Sequence, residues 1–318
     1  MGPYFSILIP VCNQEGKMEG CFDSLLNQTF KDFEIIFVDD GSKDNSLNLL
    51  KEYVKKDERA RIIEHKENKS LLYARWTAMG EAKGKYVIFL DSDDALTYDA
   101  CEKLHNHFEN TGDDAVRFGF RFANKKIDML PPEHDDMLKM YFTGMVPPAI
   151  WKNAYSIDVI RKSHDTMEPF YCNMAEDSFY VSVFFTNAKK VGIMKDVIYL
   201  YTDDSGMSSE RKNLSCERFK KALTDLENSG NHFKDYIAKY NPKYNELANK
   251  QSLRIKRFLA LQYVLYEEDF HKIYDILTIL NDAKYEDAFN YCCTRLFEMK
   301  VLKNRGEDVK ITYDLDLK

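Results

Sequence analysis

The chain lacks the features that mark several large protein classes, and each absence narrows what it does. Basic residues do not dominate: 45 Lys and Arg against 52 Asp and Glu give a formal net charge of −7 over 318 residues. A dedicated nucleic-acid binder carries a basic surplus, so that class is set aside, and an anionic ligand must be held by local groups. No apolar run approaches membrane-spanning length. Met1 to Pro10 lacks the basic segment, long apolar region and cleavage site of a secretory signal, so a cytoplasmic chain is expected. The seven cysteines (Cys12, Cys21, Cys101, Cys172, Cys216, Cys292 and Cys293) are odd in number and dispersed, with no Cys-x-x-Cys pair to suggest zinc. They read as reduced thiols packed as small apolar groups. Low-complexity tracts and internal repeats are also missing.

What is present is a core-forming composition, 44% hydrophobic, ordered into short alternating units. Apolar strands are predicted over Phe5 to Val11, Phe33 to Val38, Arg61 to Glu64 and Tyr86 to Leu90. Helical spacing runs through Glu15 to Asn27, a segment after Asp44 with Leu47, Leu50 and Val54 on one face, and Leu71 to Ala82. Such alternation means an α/β, doubly wound, mostly parallel sheet with right-handed crossovers. Ala115 to Phe120 gives a further strand. Arg121 to Pro148 loses periodicity and carries Pro131-Pro132 and Pro147-Pro148, so loops and one short helix are expected there. A helix over Ala175 to Phe185 and short strands at Lys190 to Met194 and Val197 to Tyr201 follow. From Asn213 the pattern becomes helical throughout: Phe219 to Ile237, Leu247 to Leu265 and Lys272 to Leu280. Two domains are expected, 1–212 and an all-helical 213–318.

The most informative stretch is Gly84-Lys85-Tyr86-Val87-Ile88-Phe89-Leu90-Asp91-Ser92-Asp93-Asp94. It aims three carboxylates off the carboxyl end of a buried strand, where ligands of open α/β sheets bind. Like charges this close repel, and a divalent cation removes the conflict. Hard oxygen ligands suit Mg²⁺ or Mn²⁺, ions that complete their shell with waters and substrate phosphates, which implies a metal-bound diphosphate. The plainer alternative is an acidic turn capping a helix that starts near Tyr98.

Three further constellations converge with it. Val38-Asp39-Asp40-Gly41-Ser42 places acids at a second strand end, either to accept hydrogen bonds from a base or ribose or to serve the turn itself. Arg75 offers either a two-pronged grip on a diphosphate or an ordinary surface pair one helical turn away. Glu176 and Asp177 sit in the first turn of a helix, where the macrodipole favours an ionised carboxylate; Asp177 is then a general base, or both simply stabilise the helix start.

Together these segments resemble the inverting family-two glycosyltransferases with the GT-A fold, over roughly Phe5 to Ser208. The carriers are Ser6-Ile7-Leu8-Ile9-Pro10-Val11-Cys12-Asn13, Ser24-Leu25-Leu26-Asn27-Gln28-Thr29-Phe30, Glu34 through Ser42, Ala74-Arg75, Gly84 to Asp94, Glu176-Asp177, Tyr199-Leu200-Tyr201 and Ser205-Gly206-Met207-Ser208. The resemblance implies a metal-dependent transfer of a sugar from a nucleotide-diphosphate donor, UDP-linked by preference, to a hydroxyl of a glycan or lipid-linked acceptor. It places Pro10, Cys12, Asn13, Glu15, Asp40, Arg75, Asp91, Ser92 and Glu176 around the donor, with Asp40 accepting from the uracil imide and Asp91 near the ribose. Asp93 and Asp94 would hold Mn²⁺ or Mg²⁺, and Asp177 would be the base. The chain departs from the family at Cys12, where an aromatic that stacks on the base is more usual. It also has Trp76-Thr77-Ala78 after Arg75 and no arginine in Tyr201-Thr202-Asp203-Asp204, which leaves Arg211 or Lys212 to grip the pyrophosphate.

On the acceptor side, Trp151 and Tyr155 offer sugar-stacking faces, though a core anchor is the plainer role for Trp151. Lys250, Arg254, Lys256 and Arg257 border Leu253, Phe258, Leu259 and Leu261. That stripe fits either an anionic membrane carrying a lipid-linked acceptor, which would place the chain peripherally at the inner face, or a solvated helix face. The same helices could pair in a homo-oligomer. A sugar nucleotidyltransferase would need a glycine-rich basic loop that Pro10-Val11-Cys12-Asn13-Gln14-Glu15-Gly16 does not offer. A non-catalytic nucleotide-sugar-binding scaffold would not require the set Asp40, Asp91, Asp93 and Asp177.

Overall fold

A computed structural model describes residues 2–122, 127–132, 136–202, 215–266, 270–281 and 285–304. The chain divides into two compact units, Met1–Met137 with Pro148–Gly206 and Leu138–Pro147 with Met207–Lys318. The first contains β1 (Phe5–Val11), α1 (Glu19–Leu26), β2 (Phe33–Asp39), α2 (Ser46–Val54), β3 (Ala60–Glu64), α3 (Leu71–Glu81), β4 (Tyr86–Phe89), β5 (Ala95–Leu96), α4 (Ala100–Thr111), β6 (Ala115–Phe122) and β7 (Ile127–Met129). α5 (Met137–Phe142) lies at the change of unit, and β8 (Asn153–Ser156), α6 (Ile157–Thr166), α7 (Glu176–Asn187) and β9 (Val191–Tyr201) complete the first unit.

The nine strands form one sheet in the order β3-β2-β1-β4-β8-β6-β9-β5, with β7 on β6. From β3 to β4 every pairing is parallel, as the continuous apolar runs require. Phe5, Ile7, Ile9, Ile35, Phe37, Ile88 and Leu90 fill the core. Pro10 is tolerated in β1 because it lies past the last β1–β4 pair, Leu8 with Phe89, where that ladder has ended. Beyond β4 the sheet is mixed: β8 is antiparallel to both β4 and β6, β6 and β9 are parallel, and β5 is antiparallel to β9.

Several elements differ from the sequence expectation. α1 begins at Glu19, not Glu15, because the preceding loop turns through left-handed conformations at Asn13 and Gly16. The helix expected near Tyr98 starts at Ala100, after the two-residue β5. The two strands expected from Lys190 are one, β9, whose register against β6 slips on either side of Gly119. β5, β7, β8 and α6 were not anticipated.

In the second unit, α8 (Cys216–Tyr240), α9 (Asn245–Tyr266), α10 (Phe270–Leu280) and α11 (Glu286–Asn304) pack around Phe219, Leu223, Leu261, Ile276, Leu280 and Cys292. Phe142 stacks on Phe233 in the same unit. The basic stripe is tied up locally: Lys250 pairs with Glu246, Arg254 donates to the Phe142 carbonyl, and Arg257 pairs with Asp287. Phe258 and Leu259 have no described side chains, and Asp203 to Lys212 lie outside the described residues. No described helix is long and apolar enough to cross a membrane.

Candidate active site

The loops that leave β1 and β2 are interlocked. Asn13 donates its amide to Ser42 Oγ at 3.1 Å and accepts from the Lys43 amide at 2.8 Å; Glu15 Oε2 accepts from the Asn45 amide at 3.1 Å. Gly41 (φ +70°) is required here twice over: its conformation is left-handed, and a Cβ would come within 2.8 Å of the Asn68 amide. Asp40 is buried, and its carboxylate holds the 65–70 loop by accepting from His65 Nδ1 at 2.7 Å and from the Lys69 and Ser70 amides at 2.9 Å each. Loop donors thus engage both oxygens, so the acid expected to face a nucleobase also holds the loop in place. Cys12 Sγ accepts from Asn68 Nδ2 at 3.3 Å, and Asn68 in turn accepts from the Tyr171 hydroxyl, so a half-exposed aromatic is tethered beside the position that lacks one.

Arg75 organises the centre. It is buried in α3, not at the surface, and its terminal nitrogens reach three carboxylates from two distant segments: Asp91 at 2.7 Å, Glu176 at 2.8 Å and Asp177 at 3.2 Å. Its Nε has no partner among the described residues. One guanidinium facing three acids cannot neutralise them all. Burial together with Asp177 pushes the Glu176 carboxyl up to about 8, while Arg75 opposes the rise. Burial also raises Asp177 above the usual carboxylate range, again against the pull of Arg75. Asp177 Oδ1 accepts from Arg75 and from the Ile150 amide at 3.4 Å. Among the described residues no hydrogen bond engages Oδ2, which makes it the oxygen able to take a proton.

Backbone strain gathers at the same place. The three non-glycine residues with positive φ among the described residues are Asn13 (54°), Ser70 (100°) and Ala175 (65°). They stand respectively after β1, before the helix of Arg75 and directly before Glu176, as expected where the fold pays for a functional geometry.

The acidic corner at the end of β4 separates into two roles. Asp91 and Asp93 are partly exposed; Ser92 and Asp94 are buried. Asp94, expected as a metal ligand, accepts from the Tyr199 hydroxyl and the Thr202 amide, each at 2.6 Å, so it also anchors β9 to the corner. No group of three His, Cys, Asp or Glu side chains among the described residues is arranged to hold a metal. Asp91 and Asp93 still fit Mg²⁺ or Mn²⁺, because such ions are held by one or two carboxylates plus substrate phosphates and water.

With this geometry in place, residues 6–157 match the Glycosyl transferase family 2 model. The chain carries a family 2 glycosyltransferase domain. It is similar to the uncharacterized glycosyltransferase EpsJ of Bacillus subtilis, 30% identical over 222 residues, 66% of this chain and 64% of that protein. The chain therefore spans less than two thirds of EpsJ. It is also similar to the poly(ribitol-phosphate) beta-N-acetylglucosaminyltransferase TarP of Staphylococcus aureus, 24% identical over 320 residues, 96% of each. Among solved structures, S. aureus TarS 1-349 in complex with UDP-GlcNAc matches at a TM-score of 0.61 with 17% identity, covering 98% of this chain and 93% of that one. Mannosyltransferase PcManGT from Pyrobaculum calidifontis, in complex with GDP-Man and Mn²⁺, matches at 0.56 with 14% identity, covering 95% and 81%. At these identities the structures share the fold.

Within the glycosyltransferase domain, the two aromatics expected to meet an acceptor are packed inward. Tyr155 is fully buried in β8 against Phe89 and Phe184, which removes it from any sugar-stacking role. Trp151 stacks on Tyr199 and Tyr201 at 4.5 and 5.2 Å, the core anchor that its surroundings favour. Next to it the domain holds two cations that the sequence did not flag, Lys152 and, on β6, the buried Arg117. A lone arginine inside an apolar strand, Ala115-Val116-Arg117-Phe118, was the available signal.

Proposed function

We propose that the chain transfers a sugar from a nucleotide-diphosphate donor, with inversion, to a hydroxyl of a glycan or lipid-linked acceptor. The observation that carries this reading is that one buried guanidinium, that of Arg75, joins Asp91, at the corner suited to a diphosphate, to Asp177, an acid suited to deprotonate an alcohol. The two groups a transferase needs are thereby held in one frame. The UDP-GlcNAc held by TarS supports a UDP-sugar as donor. Residues 1–212 would bind it, and 213–318 would serve acceptor, membrane or oligomer contacts.

In this mechanism Asp91 and Asp93 would hold Mn²⁺ or Mg²⁺, which when bound supplies Lewis-acid stabilisation of the departing diphosphate. The acceptor oxygen attacks the anomeric carbon from the face opposite the leaving group. Its proton passes to Asp177 Oδ2 as the new bond forms, and the electron pair of the broken bond leaves on the nucleoside diphosphate. The raised affinity of Asp177 for a proton strengthens it as a base, while Arg75 keeps it ionisable. Arg75 also fixes the side chain's orientation through Oδ1. Asp177→Asn keeps the shape and removes the basic lone pair. Transfer should fall by about 10²- to 10⁴-fold with calorimetric donor affinity unchanged; turnover equal to the parent would remove Asp177 from this role.

A further inference from the structure

We propose that Arg117 and Lys152 form a phosphate-binding subsite on the acceptor side of Asp177, so that the chain takes an acceptor whose reacting hydroxyl lies near a phosphate group. This rests on the reading of Asp177 as the base.

Arg117 is 4% exposed and carries five N–H donors, yet its one hydrogen bond is a long 3.4 Å contact to Asn153 Oδ1 across the β6–β8 ladder. No carboxylate pairs with it among the described residues. Lys152 Nζ lies 4.3 Å from the centre of the Phe120 ring and 4.9 Å from that of Trp151, and it too makes no hydrogen bond or ion pair among the described residues. Elsewhere in the same unit the buried Arg75 is matched by three acids and the partly buried Arg59 by Asp57. Two neighbouring cations with no carboxylate at ion-pair distance among the described residues are costly, and burial shows the cost. Burial and Arg117 pull the Lys152 ammonium down to about 7, and burial pulls the Arg117 guanidinium down to about 10. An arriving anion relieves both. Phosphate suits the pair, since a planar guanidinium takes two oxygens and an ammonium a third.

The position relative to Asp177 separates acceptor from donor. One contact of Asp177 Oδ1 is Arg75, which leads to Asp91 and the corner assigned to the donor diphosphate. The other is the Ile150 amide, which opens the turn Ile150–Lys152. Lys152 is thus reached through the contact that does not lead to the donor, and it acts electrostatically on Asp177.

The test is calorimetric titration of inorganic phosphate into the full chain saturated with UDP and Mg²⁺. Phosphate should bind alongside UDP. Lys152→Gln and Arg117→Gln should each weaken it by roughly tenfold or more, the scale of a lost charge-assisted hydrogen bond, and Lys152→Arg should restore it. UDP affinity should stay constant throughout. Lys152→Gln carries the test if Arg117→Gln does not fold. Phosphate displaced by UDP, or UDP weakened as much as phosphate in Lys152→Gln, would assign the cations to the donor and overturn the proposal, as would no phosphate binding to the parent. Normal transfer by Asp177→Asn with phosphate binding intact would instead sink the base and leave the cation site standing.

Discussion

The two flanks of Asp177 carry opposite electrostatic imbalances. On one, Arg75 faces Asp91, Glu176 and Asp177, three acids for one cation. On the other, Arg117 and Lys152 have no acid at ion-pair distance among the described residues. Neither flank is neutral by itself, and a protein gains nothing in stability from such an arrangement. On the proposed reading, the unmatched charge marks where ligands of complementary charge would arrive: a cation with its diphosphate on the first side, a phosphate on the second.

The largest break in this comparison comes from Arg75→Gln, which leaves three carboxylates without their cation. A loss of about 3–5 kcal/mol in urea unfolding is expected, the range for removing one partner of a buried ion pair. Asp93→Ala acts on the exposed acid of the corner: Mn²⁺-dependent UDP binding should weaken by about tenfold or more, while metal-free binding stays as it was. Glu176→Gln sharpens the acidic side. A native carboxyl raised from 4.5 to about 8 binds more protons than its unfolded form between those values, so it costs stability as pH rises through that window. The parent's urea midpoint should therefore fall from pH 5 to pH 8, and the variant's should fall less. The smallest effect concerns the basic side. Lys152, held down to about 7, should acetylate with a midpoint near that pH, far below the exposed lysines, as read by peptide mass spectrometry.

The parallel half of the sheet was legible in the sequence because β1, β2 and β4 are mostly apolar runs, two of them, β2 and β4, leading into acid. The mixed half was not. β5 is two residues long, and β8 reads Asn-Ala-Tyr-Ser, too short and too polar to stand out from a loop. Side-chain identity singled out Asp177 and Asp91 as candidates but not their shared partner, since Arg75 lies 102 residues from Asp177 and 16 from Asp91. Asp40 and Asp94 illustrate the converse. Both belong to suggestive acidic strings, yet their oxygens also hold His65, loop amides, Tyr199 and Thr202, partners that only folding brings within reach. Arg117 escaped notice because β6, with arginines at 117 and 121, still reads as an otherwise apolar strand.

The stacking of Trp151 on Tyr199 has a practical corollary. The chain has two tryptophans, and Trp76 lies against the His164 imidazole at 4.3 Å. The Tyr199 hydroxyl bridges Asp94 and the Asp91 amide, so the Trp151 indole rests on the ring that senses the corner. In a Trp76→Phe background, tryptophan fluorescence becomes a label-free reporter of ligand arrival, with one indole and no added dye.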